Sequence, residues 1–360
     1  MVRERPQPGR AVAAVSLALL VLSGAEAAGA TPADEAGKIL DATGVKGGLI
    51  VHLGCGDGKL TAALRAGDRY LVHGLDAAGE NVAKARAFIH AKGAYGPVSV
   101  EQFDGTSLPY ADDLVNLVVS EDVGRVGMDE ILRVLAPGGV ACIKTNGGWA
   151  TTVKPWPKTI DQWTHYLHDA TNNAVARDTQ VGPPRRMKWV CGPLWARSHE
   201  FTSSLAAMVS AAGRVFYLFD EGLTGVTPAS LPERWTLIAR DAFNGVLLWK
   251  RPIDNWRAGQ WKNTSLRGAP PSVPRLLVAE GDRVFFPLTL GAPISILDAA
   301  TGKVLATCEG TDGAQELRCL DGVLLVHAGK GGLLAFDSKT GKPTWQAKDN
   351  PQSKTLAAHA

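Results

Sequence analysis

The sequence predicts two domains of different class: an α/β domain built on a parallel sheet, then an all-β domain of repeated small sheets. Three observations carry this. Short apolar runs alternate with helical stretches as far as residue 148, all ten tryptophans lie at or after Trp149, and a strand–Asp–turn–Gly–strand pattern recurs three times beyond residue 201. A change of composition that sharp marks a domain boundary, and 360 residues are enough for two cores.

In the first part Gly48 to Leu53 (GLIVHL) reads as a buried strand, followed by Gly54-Cys55-Gly56-Asp57-Gly58 and a helix beginning at Lys59. Tyr70 to Leu75 is a second strand ended by Asp76, and Glu80 to Ala91 an amphipathic helix. Val98 to Phe103 is a third strand ended by Asp104, Leu114 to Ser120 a fourth, and Met128 to Leu135 a helix. Pro137-Gly138-Gly139 is expected to turn the chain into a fifth strand, Val140 to Lys144. Strands of this kind, apolar throughout and separated by helices, belong to a parallel sheet covered on both faces. No antiparallel hairpin is evident after the fifth strand, where the chain runs into Asn146-Gly147-Gly148.

The repeats of the second part are LIARDAFNGVLLW (237–249), SILDAATGKVL (295–305) and LAFDSKTGKPTW (334–345). Asp can bond its own backbone two residues on, and Gly supplies the positive φ that closes a tight hairpin. Asp241, Asp298 and Asp337 are 57 and 39 residues apart; the shorter interval suits a four-stranded propeller blade, the longer one a blade with a loop inserted over residues 254–274. About three blades fit between residue 201 and the polar C-terminal run DNPQSKTLAAHA, so the β-propeller is read as partial and the chain as a piece of a longer protein.

Composition narrows the function classes. A net charge of +3 gives no reason to expect nucleic acid as a partner. Arg3, Arg5 and Arg10, the apolar run Ala11 to Leu22, and the A-x-A sites at Ala25-Glu26-Ala27 and Ala28-Gly29-Ala30 read as a signal peptide over residues 1–30. Export to the periplasm or beyond is expected, with an uncleaved anchor as the alternative. No membrane span is expected in the mature chain. Five scattered cysteines make no disulfide framework and no C-x-x-C spacing; Cys308 and Cys319 could pair, or stay as buried thiols.

Ligand crevices of open parallel sheets lie at the carboxyl ends of the strands. Gly54, Gly56 and Gly58 fall there, where a missing side chain lets backbone approach a ligand closely. Asp76 ends the second strand, placed to accept ribose hydroxyls, and Asp104 ends the third, placed to accept from an exocyclic amine of adenine.

With those residues in view, residues 36–148 resemble a Rossmann-like class I S-adenosylmethionine-dependent methyltransferase. HLGCGDG resembles the glycine-rich first motif, Gly74-Leu75-Asp76 the ribose-binding acid, and Leu132 to Gly139 (LRVLAPGG) the helix-turn before the fifth strand. The resemblance implies S-adenosylmethionine as co-substrate, with Gly54, Cys55, Gly56, Gly58, Asp76 and Asp104 at the cofactor and Glu121 beside the transferred methyl. His52 stands where the family carries an acid, and no residue is singled out as catalytic.

Residues 201–360 resemble the blades of PQQ-like propellers, with the signature A-x-D-x-x-T-G-x-x-x-W. Asp337, Thr340, Gly341 and Trp345 match it fully; Asp241, Gly245 and Trp249 lack the Thr; Asp298, Thr301 and Gly302 lack the Trp. The tryptophan is read as a blade-packing residue, and no adjacent cysteine pair or calcium-ligand set speaks for bound PQQ. Residues 149–200 form a Pro- and Trp-rich connector. In it His165, His168 and Asp169 could hold a metal if a helix put the histidines on one face, or could form a hydrogen-bonded packing plug, which is the reading adopted. Three functions remain open: methyl transfer to an unknown acceptor, a non-catalytic envelope scaffold binding a protein partner through the propeller, and a quinone-dependent oxidoreductase.

Overall fold

The computed structural model describes residues 31–180, 182, 187–197, 203–224, 233–254, 256, 272–328, 332–347 and 355–359. The signal-peptide segment and most of the inserted loop at 254–274 lie outside them.

The α/β domain opens with α1 (Pro32–Thr43). Thr31 and Asp34 form a reciprocal capping box at its start, and Pro32 occupies its first turn, where a missing N–H costs nothing. There follow β1 (Gly48–Leu53), α2 (Lys59–Ala63), β2 (Tyr70–Asp76), α3 (Gly79–Ala91), β3 (Val98–Gln102), β4 (Val115–Ser120), α4 (Met128–Val134), β5 (Leu135–Thr145) and β6 (Gly148–Val153). They form one sheet of order β3-β2-β1-β4-β5-β6, parallel except for β6. One face packs against α1 and α3 through Ile39, Val82, Ala85 and Ile89, and the other against α4 through Ile131 and Val134. The mainly apolar strands follow from this double covering.

Two sequence expectations fail here. The hairpin that was not evident exists: β5 turns at Asn146-Gly147 and pairs antiparallel with β6, Lys144 opposite Trp149 and Val140 opposite Val153. Pro137-Gly138-Gly139 does not turn into the strand but lies within it, as an irregularity in the β4–β5 register, with the Gly138 N–H donating to Lys154 O at 2.9 Å. A bulge re-aims a strand without ending it, so a Pro-Gly-Gly sequence serves both.

The second domain holds three four-stranded antiparallel meanders. The first is β7 (Leu205–Ala211), β8 (Arg214–Asp220), β9 (Trp235–Asp241) and β10 (Leu247–Pro252). After a short α5 (Ser272–Arg275) come β11 (Val278–Glu280), β12 (Arg283–Pro287), β13 (Ile294–Asp298) and β14 (Val304–Cys308), then β15 (Glu316–Leu320), β16 (Val323–His327), β17 (Leu333–Asp337) and β18 (Pro343–Ala347). The first strands lie side by side, β7 against β11 and β11 against β15, so they line the inner side of a partial propeller. One core of Phe216, Leu237, Phe285, Ile296, Leu324 and Phe336 runs through all three blades.

The three turns are built alike. Asp298 Oδ1 accepts from the Ala300 and Thr301 N–H groups and the Thr301 hydroxyl, and Gly302 N–H closes on Asp298 O at 2.8 Å. Asp337 repeats this with Lys339, Thr340 and Gly341, and Asp241 repeats the backbone part with Phe243, Asn244 and Gly245 but without a hydroxyl. The tryptophan that follows the turn docks on the next blade. Trp249 donates its indole N–H to Ala299 O at 3.0 Å and lies over Gly302, where a Cβ would come within 2.7 Å of the ring at a φ of +70°. Only glycine fits there.

All five cysteines are free thiols, so Cys308 and Cys319 are a buried, unbridged pair.

Candidate functional site at the strand exits

Strand order reverses between β1 and β4, which places the ligand crevice of this sheet at their carboxyl ends. The Gly54–Gly58 loop begins there. Gly54 and Gly56 have φ of +69° and +53°, and a Cβ added to either would meet only Asp122 O at 3.9 Å or Gly54 O at 4.0 Å. Neither glycine is crowded, since each of these is an ordinary van der Waals distance. Gly58 serves packing instead: a Cβ there would lie 2.9 Å from Ala85 of α3.

The loop is tied down by the protein itself. Gly54 and Cys55 donate to Leu75 O at 2.8 and 3.1 Å, Gly58 donates to Cys55 O, and Gly56 donates to Asp76 Oδ2 at 3.0 Å. What it offers a ligand is close backbone approach more than free amides. Cys55 is buried, and burial pushes its thiol up to about 12, so it is an inert packing residue.

Asp76, at the end of β2, bonds the loop and is already engaged. Beyond Gly56 it accepts from Ala78 N–H at 2.9 Å and from the Asn81 amide at 3.2 Å on both oxygens. A ribose would have to displace Asn81 or share the carboxylate with it. Asn81, one turn into α3, was not singled out in the sequence.

Asp104 follows β3, and its loop adjoins the β2 exit, with the Cβ position of Gly105 3.6 Å from Ala77 Cβ. Its Oδ1 accepts from Thr106 N–H, the Thr106 hydroxyl and Ser107 N–H, and these bonds hold the carboxyl below its ordinary range. Arg125 bonds Asp104 O at 3.0 Å and bridges the loops after β3 and β4. Glu121 is at the exit of β4, paired with Lys144 of β5 at 2.6 Å; Lys144 also approaches Glu35 of α1 at 3.7 Å. The structure thus brings the loop of Gly54 and Gly56 together with the end of β2 at Leu75 and Asp76, while Asp104 follows β3 and Glu121 follows β4.

His52 lies beneath this crevice, almost fully buried. Its Nδ1 shares a 2.8 Å hydrogen bond with the Thr61 hydroxyl, while its Nε2 is buried without a hydrogen-bond partner. Burial lowers its pKa to about 4 although Glu121 and Asp76 pull the other way, so the imidazole is neutral at pH 7.

The blades attach at the opposite end of the sheet. Asn116, at the start of β4, donates to Asp241 Oδ2 at 2.7 Å and accepts from Leu49 N–H and the Asn244 amide, each at 2.7 Å; Asn244 also reaches Leu114 O. A cavity of about 540 Å³ lies beside this joint, lined by Lys46, Asn116, Trp156, Gln162, Arg214 and Asp241 among others. A strand rises about 3.3 Å per residue, so the joint is roughly 17 Å from the Gly54 loop along β1. Among the described residues, these bonds of the first blade to β4 and the residue before it lie at the end of the sheet away from the Gly54 loop.

The connector cluster is a plug. Residues 165–168 form a tight reversal rather than a helix, His165 N–H bonding His168 O at 3.1 Å, so the one-face arrangement a metal would need does not arise. His168 Nε2 bonds Asp161 at 2.7 Å, and His165 Nε2 accepts from Cys319 N–H at 3.0 Å, which uses the nitrogens a metal would take. Among the described residues no group of His, Cys, Asp and Glu has a metal-binding arrangement.

The parallel sheet with its antiparallel edge strand is a Rossmann-like methyltransferase-type fold, joined to the blades of a partial propeller. Residues 50–139 match the family described as a methyltransferase domain, and residues 233–359 match the PQQ-type family described as outer membrane protein assembly factor BamB. No curated protein matches the chain. Similar solved structures include a candidate S-adenosyl-L-methionine-dependent methyltransferase from Methanococcus maripaludis, 24% identical over 33% of this chain and 56% of that one, with a TM-score of 0.30. The [4+2]-cyclase SpnF is 24% identical over 31% and 43%, TM-score 0.29. Geranyl diphosphate C-methyltransferase from Streptomyces coelicolor is 18% identical over 30% and 43%, TM-score 0.29. The matches span about half the length of these proteins.

Proposed function

We propose that the α/β domain binds S-adenosylmethionine at the exits of β1, β2 and β3, and that the blades form a platform for a protein partner in an exported chain. The observation that carries this is the open backbone at Gly54 and Gly56 with Asp76 bonded to the same loop, within the segment matched as a methyltransferase domain. The residues fit an adenosine. Two glycines leave room for a ribose at the loop, Asp76 has the acceptor oxygens for its hydroxyls, and the Asp104 loop is the edge toward the base.

When bound, the sulfonium supplies an electrophilic methyl group. This chain's residues contribute position and exclusion of water, which is where most of the rate gain in such a displacement lies. Glu121 and Lys144 form a charged lip over which an acceptor would enter.

A second reading, a scaffold whose α/β domain no longer catalyses, is favoured by two observations. Neutral His52 replaces an acid beneath the crevice, and Asp76 is satisfied by Asn81 and the loop. Export would also part the domain from a methyl donor made in the cytoplasm. The BamB-type match supports export and a platform role. Among the described residues no helix is long and apolar enough to cross a membrane. A quinone-dependent oxidation is the least supported, since connector residues 163–170 bond to the inner strands where the blades converge.

Titration calorimetry with S-adenosylmethionine and its demethylated product separates the readings. Binding of both with turnover of an acceptor supports the enzyme; binding without turnover supports the scaffold. Dye reduction after reconstitution with quinone and calcium would restore the third.

A further inference from the structure

The cavity of about 540 Å³ at the joint is walled from both domains. The α1–β1 loop from Gly44 to Gly47 and the β5 bulge form one side, and the blade turns at Gly213, Asp241 and Gly281 form the other. A Cβ added to Gly44 or Gly281 would meet nothing within 4 Å, so neither turn fills the space beside it. Pockets of this size hold small organic molecules.

Its polar side chains divide unevenly between engaged acceptors and spare donors. Asp241 is engaged on both oxygens, Oδ1 by the Phe243 and Asn244 N–H groups and Oδ2 by Asn116. The Asn116 carbonyl accepts from Leu49 N–H and the Asn244 amide, so it is engaged too. The donors are freer. Gln162 accepts from Ala212 N–H at 2.6 Å through its carbonyl, which leaves its NH2 group to donate. Lys46 is an exposed ammonium on the α/β side. The Arg214 guanidinium, at the start of β8, makes one hydrogen bond among the described residues, to Ala212 O at 3.4 Å. Burial lowers its pKa although Asp241, Asp298 and Asp282 pull the other way. Those carboxylates have partners of their own: Asp282 pairs with Arg283 at 2.7 Å, and Asp298 with the amides of its turn. Arg214 is therefore a permanent cation with five N–H donors, partly withdrawn from water and short of partners.

We infer that this cavity binds a small organic carboxylate, its two oxygens held by the Arg214 fork and its apolar body against Trp156 and Phe243. A planar carboxylate matches a guanidinium through two parallel hydrogen bonds. One negative charge suits the surroundings better than two, because three carboxylates already act on Arg214. Trp156 and Phe243 meet edge-on with ring centroids 5.9 Å apart. A Cβ on Gly213, the neighbour of Arg214 in the chain, would lie 3.2 Å from Phe243 and 3.5 Å from Trp156. Leu248 and Val45 extend this apolar wall. A ligand so held would meet the first blade through Arg214 and the α/β domain through Lys46, and would tie the two together. The inference does not rest on what the Gly54 crevice binds, which lies at the other end of the sheet.

The test is titration calorimetry of the 360-residue chain with benzoate, and with benzamide as an uncharged analogue of the same shape. Benzoate is expected to saturate one site with a midpoint on the order of 1 mM. Benzamide should bind at least about ten-fold more weakly. Arg214→Gln should weaken benzoate to the level of benzamide, with the fold intact by circular dichroism. Lys46→Gln, at an exposed position, should weaken benzoate about three-fold and leave Tm unchanged. No saturation below about 20 mM, equal binding of benzoate and benzamide, or benzoate binding untouched by both variants would each overturn the proposal. Inorganic phosphate binding more tightly than benzoate would assign the cavity to a different anion and overturn it. Displacement of benzoate by S-adenosylhomocysteine would place benzoate in the Gly54 crevice, and would overturn it as well.

Discussion

Asn116 and Asp241, 125 positions apart in the chain, meet at 2.7 Å and fasten the α/β domain to the first blade. Asp241 belongs to the repeated turn, and its turn departs from the signature by carrying Asn244 in place of Thr. That departure is what makes the joint. With no hydroxyl closing on Asp241, the amide of Asn244 reaches Asn116 and Leu114 in the neighbouring domain. Burial raises the pKa of Asp241 although Asn116 and two turn amides oppose it, so the carboxylate depends on these donors.

Asn116→Ala removes a donor from Asp241 and an acceptor from Leu49 and Asn244. The expected cost is about 1–3 kcal/mol, concentrated at the joint. Differential scanning calorimetry should show one transition splitting into two, with ligand binding at the Gly54 loop unchanged.

The blade stack should be sensitive to its docking pair. Trp249→Ala is expected to cost about 3–5 kcal/mol, as for other buried large-to-small changes. Gly302→Val should destabilise as well, through both the ring contact at 2.7 Å and the left-handed backbone. Urea unfolding followed by far-UV circular dichroism measures both.

Glu316 and Arg318 form a buried ion pair at 2.5 Å, almost without exposure, joining β15 to Asn172 of the connector and to residues 355–356. Glu316→Ala leaves the guanidinium buried and unpaired, with an expected loss of about 3–5 kcal/mol. The double change of both residues to apolar ones should recover much of it, which denaturant titration would show.

Acid should loosen the fold before it loosens the carboxylates. His52 and His165 titrate near 4 and 3 in the folded chain, against the usual 6.5, chiefly because both are buried. Below pH 6.5 the unfolded chain takes up protons that the folded chain refuses, so stability falls with pH down to about 4. Each histidine contributes on the order of 3 kcal/mol to that fall. Urea midpoints at pH 7, 5.5 and 4 should drop steadily, and His165→Asn should flatten the slope.

Much of this was legible in the sequence, for reasons that can be named. Largely apolar strands, with acids at the exits of β2, β3 and β4, marked β1 to β4 nearly to the residue, and the Asp–Gly turns marked the blades. The β6 strand was missed because Gly148 to Val153 is only half buried and so lacks an apolar run, although Thr151-Thr152-Val153 carried a β-branched signal. Pro137-Gly138-Gly139 was read as a turn because a bulge uses the same residues. Asn81, Asn116 and Trp189 were not found, since each acts through a partner distant in sequence or in another element, and no local pattern marks it. The engagement of Asp76 belongs to the same class: its position was readable, its hydrogen bonds were not.

The most direct test is titration calorimetry of the folded 360-residue chain with S-adenosylhomocysteine, beside the Gly56→Val and Asp76→Asn variants. A single site is expected, weakened at least about ten-fold (about 1.4 kcal/mol) in each variant, with the fold intact by circular dichroism. No heat up to about 1 mM ligand, or binding untouched by both changes, would contradict an adenosine site at the exits of β1 and β2.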